Sequence, residues 1–397
     1  MSRRMKIIHC ADAHLGSDIR SLGHLGGKRK MEIRESFYKI LALCEEEKAD
    51  ILFISGDLFD QPTPDKDLVQ QVIEQMEKIP ETRIFIAPGN HDYICLDSCY
   101  MTAKWPENVT IFKGAYECVA IEELQVNVFG AAFQGVNQEI PLLKKKEEAI
   151  GYVKNDYLNL GVLHGDLVSS VTGSNYNPIT VKQIENSGLD YLALGHIHLR
   201  SEVKKAGNTY YSYCGNHDGR GFDELGEKGV YVGEIKKNSF YELEPDFSFR
   251  KVGNRKYLEV KFEPGKQMKE EVVSEEEIAK ALQKELETLD FENWRENLYK
   301  VVFTGDMPEN VVLNPEGIKS WLSEVFFLKI KDKTRIAVDY DQVAKQRTLK
   351  GMFVAKMRKA IMEAESKGDT KKQSVLEEAL SIGLKAFYTE VGYDVDQ

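Results

Sequence analysis

Residues 5–14 (MKIIHCADAH), residues 50–60 (DILFISGDLFD) and residues 83–92 (RIFIAPGNHD) follow one pattern: a short apolar run, then at once a turn bearing Asp, Asn or His. Short runs rich in Ile, Leu and Phe, bounded by glycine or polar residues, read as buried strands. Between them, residues 31–48 and 65–78 are helical stretches, so the first part of the chain alternates strand and helix in the manner of an α/β domain. Working outward, further strand-like runs lie at 126–133 (VNVFGAAF), 158–164 (LNLGVLH), 190–195 (DYLALG) and 229–235 (GVYVGEI). Several of these also end in polar turns. In open α/β sheets ligands bind in the crevice beyond the strand C-termini, so these turns mark the candidate site.

Beyond about residue 251 the texture changes. A strand (KYLEVKF), a charged helix (275–289), a strand (NLYKVVF), a helix near 314–324 and the apolar run EVFFLKI predict a small α/β cap over 251–340. Residues 341–365 then place Leu349, Phe353, Met357, Ala360 and Ala364 on one helical face. Residues 371–389 do the same for Leu376, Leu380, Leu384 and Phe387, with Gly368 and Asp369 marking the turn between them. The expected helical hairpin, 341–397, either packs on its own domain or receives a partner helix. A chain of 397 residues exceeds what one ordinary core serves, which agrees with a large domain, 1–250, followed by smaller parts.

The net charge of −11 argues against a protein that holds nucleic acid through a broad basic surface. Two stretches run the other way: Arg20, Lys28, Arg29, Lys30 and Arg34, and Lys345, Arg347, Lys350, Lys356, Arg358 and Lys359. Each reads either as solvated surface or as a local contact to phosphate or a partner. The six cysteines include no C-x-x-C pair and are expected to be reduced thiols. The N-terminus shows no signal-peptide pattern and the chain no long apolar span, so a cytoplasmic protein with no membrane partner is expected.

The polar turns carry the chemistry. Asp12-Ala13-His14, Gly56-Asp57-Leu58-Phe59-Asp60, Gly89-Asn90-His91-Asp92, His164-Gly165 and Gly195-His196-Ile197-His198 together offer two carboxylates, an amide oxygen and four imidazoles as metal ligands. Two divalent ions sharing one carboxylate need that inventory. The glycines before Asp57, Asn90 and His196 are expected to let the backbone turn tightly. Any one segment alone reads as an ordinary turn; all five in this order, each after an apolar run, do not. His9, inside the first strand, is expected to be a core histidine bonded to backbone, and His24 a mobile loop residue. GNHD recurs at 215–218, where His217 is expected to sit in a turn with no ligand role.

The order D-x-H, GD-x-x-D, GNHD, HG, GH-x-H resembles the calcineurin-like metallophosphoesterase superfamily. The wording ADAHLG, SGDLFD, APGNHD and LGHIH resembles its SbcD-type DNA repair nuclease branch, and GRGFDELGEKGVYVGEI (219–235) looks closer still to the YhaO-like group. The resemblance covers roughly residues 5–250 and implies an α/β fold: a β-sandwich flanked by helices. It also implies that Asp12, His14, Asp57 and His198 surround one ion, that Asp57, Asn90, His164 and His196 surround another, and that Asp57 bridges them. By the same resemblance His91 is the catalytic histidine near the leaving oxygen, with Asp60 supporting the loop; Asp92 reads either as orienting His91 or as a side chain that closes the turn. The ions are expected to be two Mn²⁺, though the ligands alone accept Fe²⁺ or Zn²⁺.

The implied activity is DNA phosphodiester hydrolysis, 3′–5′ exonucleolytic with single-strand endonuclease action. The implied partners are DNA and an SbcC-like coiled-coil ATPase, with room for a homodimer. Two rivals stay open: a small-molecule or nucleotide phosphodiesterase with the same centre, and a non-catalytic DNA-end tether.

Overall fold

The computed structural model describes residues 4–148, 153–238, 242–267, 274–308 and 313–388. The chain divides into two compact units, Met1–Lys256 and Tyr257–Gln397.

The first unit is a sandwich of two six-stranded sheets. One contains β1 (Met5–Cys10), β2 (Ile51–Ile54), β3 (Arg83–Ile86), β4 (Val109–Ile111), β11 (Gly229–Lys237) and β12 (Leu243–Lys251), in the order β12-β11-β1-β2-β3-β4. The other contains β5 (Glu117–Ile121), β6 (Val126–Gly130), β7 (Leu158–His164), β8 (Tyr191–Gly195), β9 (Lys204–Ala206) and β10 (Thr209–Tyr213), in the order β5-β6-β7-β8-β10-β9. In the first sheet β1 to β4 run parallel and β11 and β12 add antiparallel at one edge; in the second, β6, β7, β8 and β10 run parallel between antiparallel β5 and β9. Ile7, Ile51, Phe53 and Phe85 from the first sheet share one core with Val126, Val128, Leu160, Val162, Tyr191 and Ala193 from the second. Ile8, Leu52, Ile54, Ile84 and Ile86 are buried as well. Strand alternation puts them on the opposite face, so these strands read as continuous apolar runs because both faces are covered.

Helices α1 (Gly26–Glu47) and α2 (Lys66–Met76) each bury an apolar stripe: Ile33, Phe37, Ile40, Leu41 and Cys44 in α1, and Val69, Val72, Ile73 and Met76 in α2. Asp65 starts α2 by accepting from the amides of Asp67 and Leu68. His9 is fully buried, as its position in β1 predicts. Burial pushes its pKa down to about 3, so it is neutral. Its Nε2 donates to the Leu194 carbonyl at 3.1 Å, which leaves Nδ1 to accept from the Tyr191 hydroxyl at 2.9 Å and ties the two sheets together.

Strand register sets the site. Cys10 pairs with Ile54 and Ile54 with Ile86, so β1, β2 and β3 end level with one another. In the other sheet His164 pairs with Gly195. The five turns predicted to hold the chemistry therefore leave the sandwich at the C-terminal ends of these strands.

The second unit holds a parallel three-stranded sheet, Tyr257–Phe262, Leu298–Phe303 and Phe327–Asp332. Helices Glu275–Leu289 and Pro315–Trp321 share its core through Ile278, Leu282, Leu286 and Ile318. The expected helix 341–365 is two: Tyr340–Ala344 and Leu349–Ser366, the second capped by Thr348, whose hydroxyl accepts from the Gly351 amide. Its stripe through Val354 and Ala364 is buried, and Val354 packs with Leu380 and Leu384 of helix Thr370–Tyr388 and with Ile336 and Val343. Leu349, expected on that stripe, sits in the first turn past its end and is 75% exposed. Residue 389 of the expected second helix lies outside the described residues. Among the described residues no helix is long and apolar enough to cross a membrane.

Of the first basic stretch, Arg29 is neither solvated nor free for phosphate. It is fully buried, pairs with Asp218 and Glu32 and donates to the Gly219 carbonyl, while Arg255 also binds Glu32. This network fastens α1 to the 215–219 turn. Removing one member of a buried ion network strands the remaining charges, which costs about 3–5 kcal/mol. Arg29→Met should therefore lower the unfolding free energy by about that much in a urea titration. A loss below about 1 kcal/mol would mean that the network is effectively solvated.

Candidate metal centre

The turns hold strained backbone where ligands are predicted. Among the described residues seven non-glycine residues have positive φ, and four of them are Asp12 (53°), His14 (43°), Asp57 (49°) and His196 (100°). Such conformations cost energy and persist where the surroundings enforce them, characteristically at functional sites. Here neighbouring turns lock one another. The His14 amide donates to the Asp57 carbonyl at 2.8 Å, the Asp12 amide to the Gly56 carbonyl at 3.1 Å, and the His196 amide to both Asp12 carboxylate oxygens at 2.9 and 3.1 Å. Of the three glycines expected to permit tight turns, only Gly56 has positive φ (86°). Gly89 and Gly195 are needed for room instead, since a Cβ would collide with the Asp57 side chain at the first and with the Ser55 carbonyl at the second.

All seven predicted ligands converge. Asp57 Oδ2 lies 3.5 Å from His14 Nε2 and 3.4 Å from His164 Nε2. Asn90 Oδ1 lies 3.0 Å from His164 Nε2 and 3.1 Å from His196 Nδ1. His14 Nε2 faces His198 Nε2 at 3.2 Å. Asp12, His14 and His198 form one group whose ligand atoms all lie within 4.8 Å of one another, and Asp12, Asp57 and His164 form another.

The outward nitrogen of each imidazole is already committed to an acceptor. His14 Nδ1 is 3.1 Å from Asp60 Oδ1, and His198 Nδ1 is 2.6 Å from Glu224 Oε1. His164 Nδ1 is 2.9 Å from the Ser55 carbonyl, and His196 Nε2 is 3.3 Å from Asp166 Oδ1. An imidazole that donates outward presents a lone pair inward. The centre is thus a set of acceptors aimed at acceptors, each pair of which needs a positive charge between its members. Oxygen and imidazole donors backed by carboxylates and a carbonyl fit divalent metal ions.

Without a metal ion, a proton on His164 meets part of that need. Burial pushes His14 and His196 down to about 4. Burial also opposes charge on His164, but Asp57 and then Asp12 outweigh it and raise that group to about 9. Burial alone would raise Asp57, yet the imidazoles of His164 and His14 hold it well below the usual carboxylate range. The pull between Asp57 and His164 is a pull toward any cation placed between them.

His91 stands at the rim, its side chain 44% exposed, with Nδ1 3.2 Å from the Asp60 carbonyl and its ring centroid 4.6 Å from that of His14. Of the two readings of Asp92, its hydrogen bonds match the turn-closing one. Its carboxylate is fully buried and accepts from the amides of Gly89 (2.7 Å), Asp57 (3.2 Å) and Phe59 (3.2 Å) and from the Tyr100 hydroxyl (2.6 Å). It braces the 56–59 and 89–92 turns against each other, while the Asp60 carbonyl meets the His91 imidazole and Asp57 Oδ1 accepts from the His91 amide at 2.9 Å.

His217 closes no ligand set among the described residues. It is buried against α1, with Nε2 3.0 Å from the Ile33 carbonyl. Its neighbour Asn216 donates to Glu224 Oε2 at 2.8 Å. Glu224, Arg220 and Asp166 are supports that the sequence reading missed. The GRGFDE wording covers the first two, but it entered only as a mark of resemblance and carries no ligand pattern of its own.

Comparison with known proteins agrees with this geometry. The family model for calcineurin-like phosphoesterases matches residues 5–200. The chain is 31% identical over 251 residues to the uncharacterized metallophosphoesterase YhaO of Bacillus subtilis (strain 168), covering 60% of each protein. It is 26% identical over 273 residues to the SbcD component of the nuclease SbcCD of Staphylococcus epidermidis, covering 61% of this chain and 70% of that one. It is 23% identical over 396 residues to the DNA double-strand break repair protein Mre11 of Methanopyrus kandleri, covering 95% and 82%. With the acceptor cluster held on five turns inside the matched stretch, the chain belongs, through residues 5–200, to the calcineurin-like phosphoesterase superfamily and resembles its SbcD/Mre11-like branch.

Proposed function

We propose that the protein is a two-ion, Mn²⁺-dependent DNA phosphodiesterase, a 3′–5′ exonuclease with single-strand endonuclease activity that processes DNA ends in the cytoplasm. The observation that carries this reading is Asp57 Oδ2, within 3.5 Å of imidazole nitrogens from both ligand groups, where one carboxylate would serve both ions. Asp12, His14, Asp57 and His198 would hold one ion; Asp57, Asn90, His164 and His196 would hold the other. When bound, paired divalent ions supply Lewis acidity toward a phosphoryl oxygen and toward water.

The protein's own residues do the rest. His91 Nδ1 donates to the Asp60 carbonyl, which leaves Nε2 at the exposed rim. Protonated there, it would give its proton to the departing 3′ oxygen, whose alkoxide is a poor leaving group near neutral pH. Asp60 holds His91 and His14 together, and Asp92 keeps the 56–59 and 89–92 turns in register.

On this reading residues 1–250 carry the chemistry, 251–340 form a cap and 341–397 a docking hairpin for an SbcC-like coiled-coil ATPase. Val375 and Ile382, exposed and seven residues apart on the second helix of that hairpin, mark the face a partner helix would cover. The names of the SbcCD and break-repair relatives support both the DNA substrate and this assembly.

The test compares Mn²⁺-dependent cutting of duplex and single-stranded DNA with hydrolysis of a p-nitrophenyl phosphodiester. His91→Ala should retain both ions by elemental analysis and lose about 10²–10⁴-fold in turnover on DNA. The loss on the nitrophenyl ester should be smaller, because nitrophenolate leaves without a proton. Equal losses on both substrates would remove His91 as the acid; an ester hydrolysed by a chain that leaves DNA intact would assign the site to small phosphodiesters.

Asp92→Ala should behave differently from His91→Ala. It strands three buried amides and the Tyr100 hydroxyl, at about 1–3 kcal/mol for each group left unpaired, so metal-free protein should unfold at clearly lower urea concentration. An Asp92→Ala chain as stable as its parent but slow in turnover would return Asp92 to a catalytic role.

A further inference from the structure

Arg220 stands where the supports of one ligand group meet. Its Nη2 lies 3.1 Å from Glu224 Oε1 and 3.3 Å from His198 Nδ1, and its Nη1 lies 3.6 Å from Asp60 Oδ1. Glu224 Oε1 is itself 2.6 Å from His198 Nδ1, and Asp60 Oδ1 is 3.1 Å from His14 Nδ1. His14 and His198, whose Nε2 atoms face each other at 3.2 Å, are thus each backed by a carboxylate, and one guanidinium spans both carboxylates. Among the described residues the other ligand group has no such strap. His164 leans on a backbone carbonyl and His196 on Asp166, whose second oxygen takes the Ser174 hydroxyl.

The strap is built rather than incidental. Glu224 is buried, and its Oε2 is fixed by the Arg220 amide at 2.7 Å and by Asn216 at 2.8 Å. The Arg220 side chain is only 20% exposed. Two carboxylates beside one pair of imidazoles repel each other. A planar guanidinium, with donors in a rigid fork, holds them at a set separation, which a lysine ammonium cannot do. Groups behind metal-binding histidines fix ring orientation and raise ligand basicity.

We propose that Arg220 is a positioning residue for one ion position, the one fed by Asp12, His14 and His198, which it sets by holding Asp60 and Glu224 together. The inference rests on the two-ion reading above. It separates the two positions physically: one depends on an arginine outside the family-matched stretch, the other does not.

The test titrates metal-free protein with Mn²⁺, following the electron paramagnetic resonance spectrum from the six-line signal of an isolated ion to the coupled signal of a pair, with elemental analysis of the gel-filtered protein. Arg220→Met should keep one ion and bind the second about 10–100-fold more weakly, so the coupled signal is delayed by that factor. Arg220→Lys should recover only part of the affinity. Glu224→Gln, which leaves Arg220 in place, should weaken the same ion and guards against a folding defect in Arg220→Met. Asn90→Ala touches only the other group, so Asn90→Ala with Arg220→Met should retain no ion at concentrations where Asn90→Ala alone retains one. A native chain with two ions and an Arg220→Met chain with the same affinities and coupled signal would overturn this inference alone. A native chain that takes up a single ion would overturn both it and the two-ion reading.

Discussion

Acceptors facing acceptors at about hydrogen-bond distance are the constraint on which this structure depends. His14 Nε2 against His198 Nε2, and Asn90 Oδ1 between His164 and His196, repel unless a positive charge lies between them. A folded chain tolerates such a cluster only if something stronger holds it. Here the holding is done from outside, by bonds on the far nitrogens of the imidazoles and by peptide groups that donate to Asp12 and Asp92. The self-repulsion is the source of affinity for cations, since a metal ion relieves it in one step.

The sandwich supplies the rigidity. Parallel strands that end level with one another deliver turns from both sheets to one edge, and the shared core stops the sheets from sliding. His9, neutral and bonded to both Tyr191 and Leu194, pins the sheets just behind the site. The positive φ angles at Asp12, His14, Asp57 and His196 are the local cost of aiming four side chains inward from short turns. That strain is tolerated because each turn is bonded to its neighbour, with Asp92 acting at the junction of two of them.

The strands, the alternation with α1 and α2 and the seven side chains that converge at the strand ends were legible in the sequence, because an apolar run ending in a histidine- or carboxylate-bearing turn is a local signal. What escaped was non-local. Nothing near Asp92 shows that its oxygens reach amides more than thirty residues away, and its adjacency to His91 suggested a different partner. Arg29 sits in a run of basic residues that looks solvated, yet its partner Asp218 is 189 residues distant. Leu349 carries the right spacing for a buried stripe but falls beyond its end, since the Thr348 cap fixes where the helix begins. Periodicity finds elements; it does not find which element's edge meets which loop.

The two copies of GNHD make the same point at the level of single atoms. In the first, Asn90 turns its carbonyl oxygen toward two imidazoles, His91 stands at the rim and Asp92 accepts amides. In the second, Asn216 turns its amide nitrogen toward Glu224, His217 is buried against α1 and Asp218 accepts a guanidinium. The tetrapeptides are identical and the neighbours are not: β3 runs straight into the first among the other ligand turns, while the second is bridged at Asn216 to Ala11 and faces Arg29. A side-chain amide presents whichever end its surroundings can satisfy. The second copy is therefore a scaffold that happens to share letters with a ligand turn, and its place in the protein is to fix Glu224 behind His198.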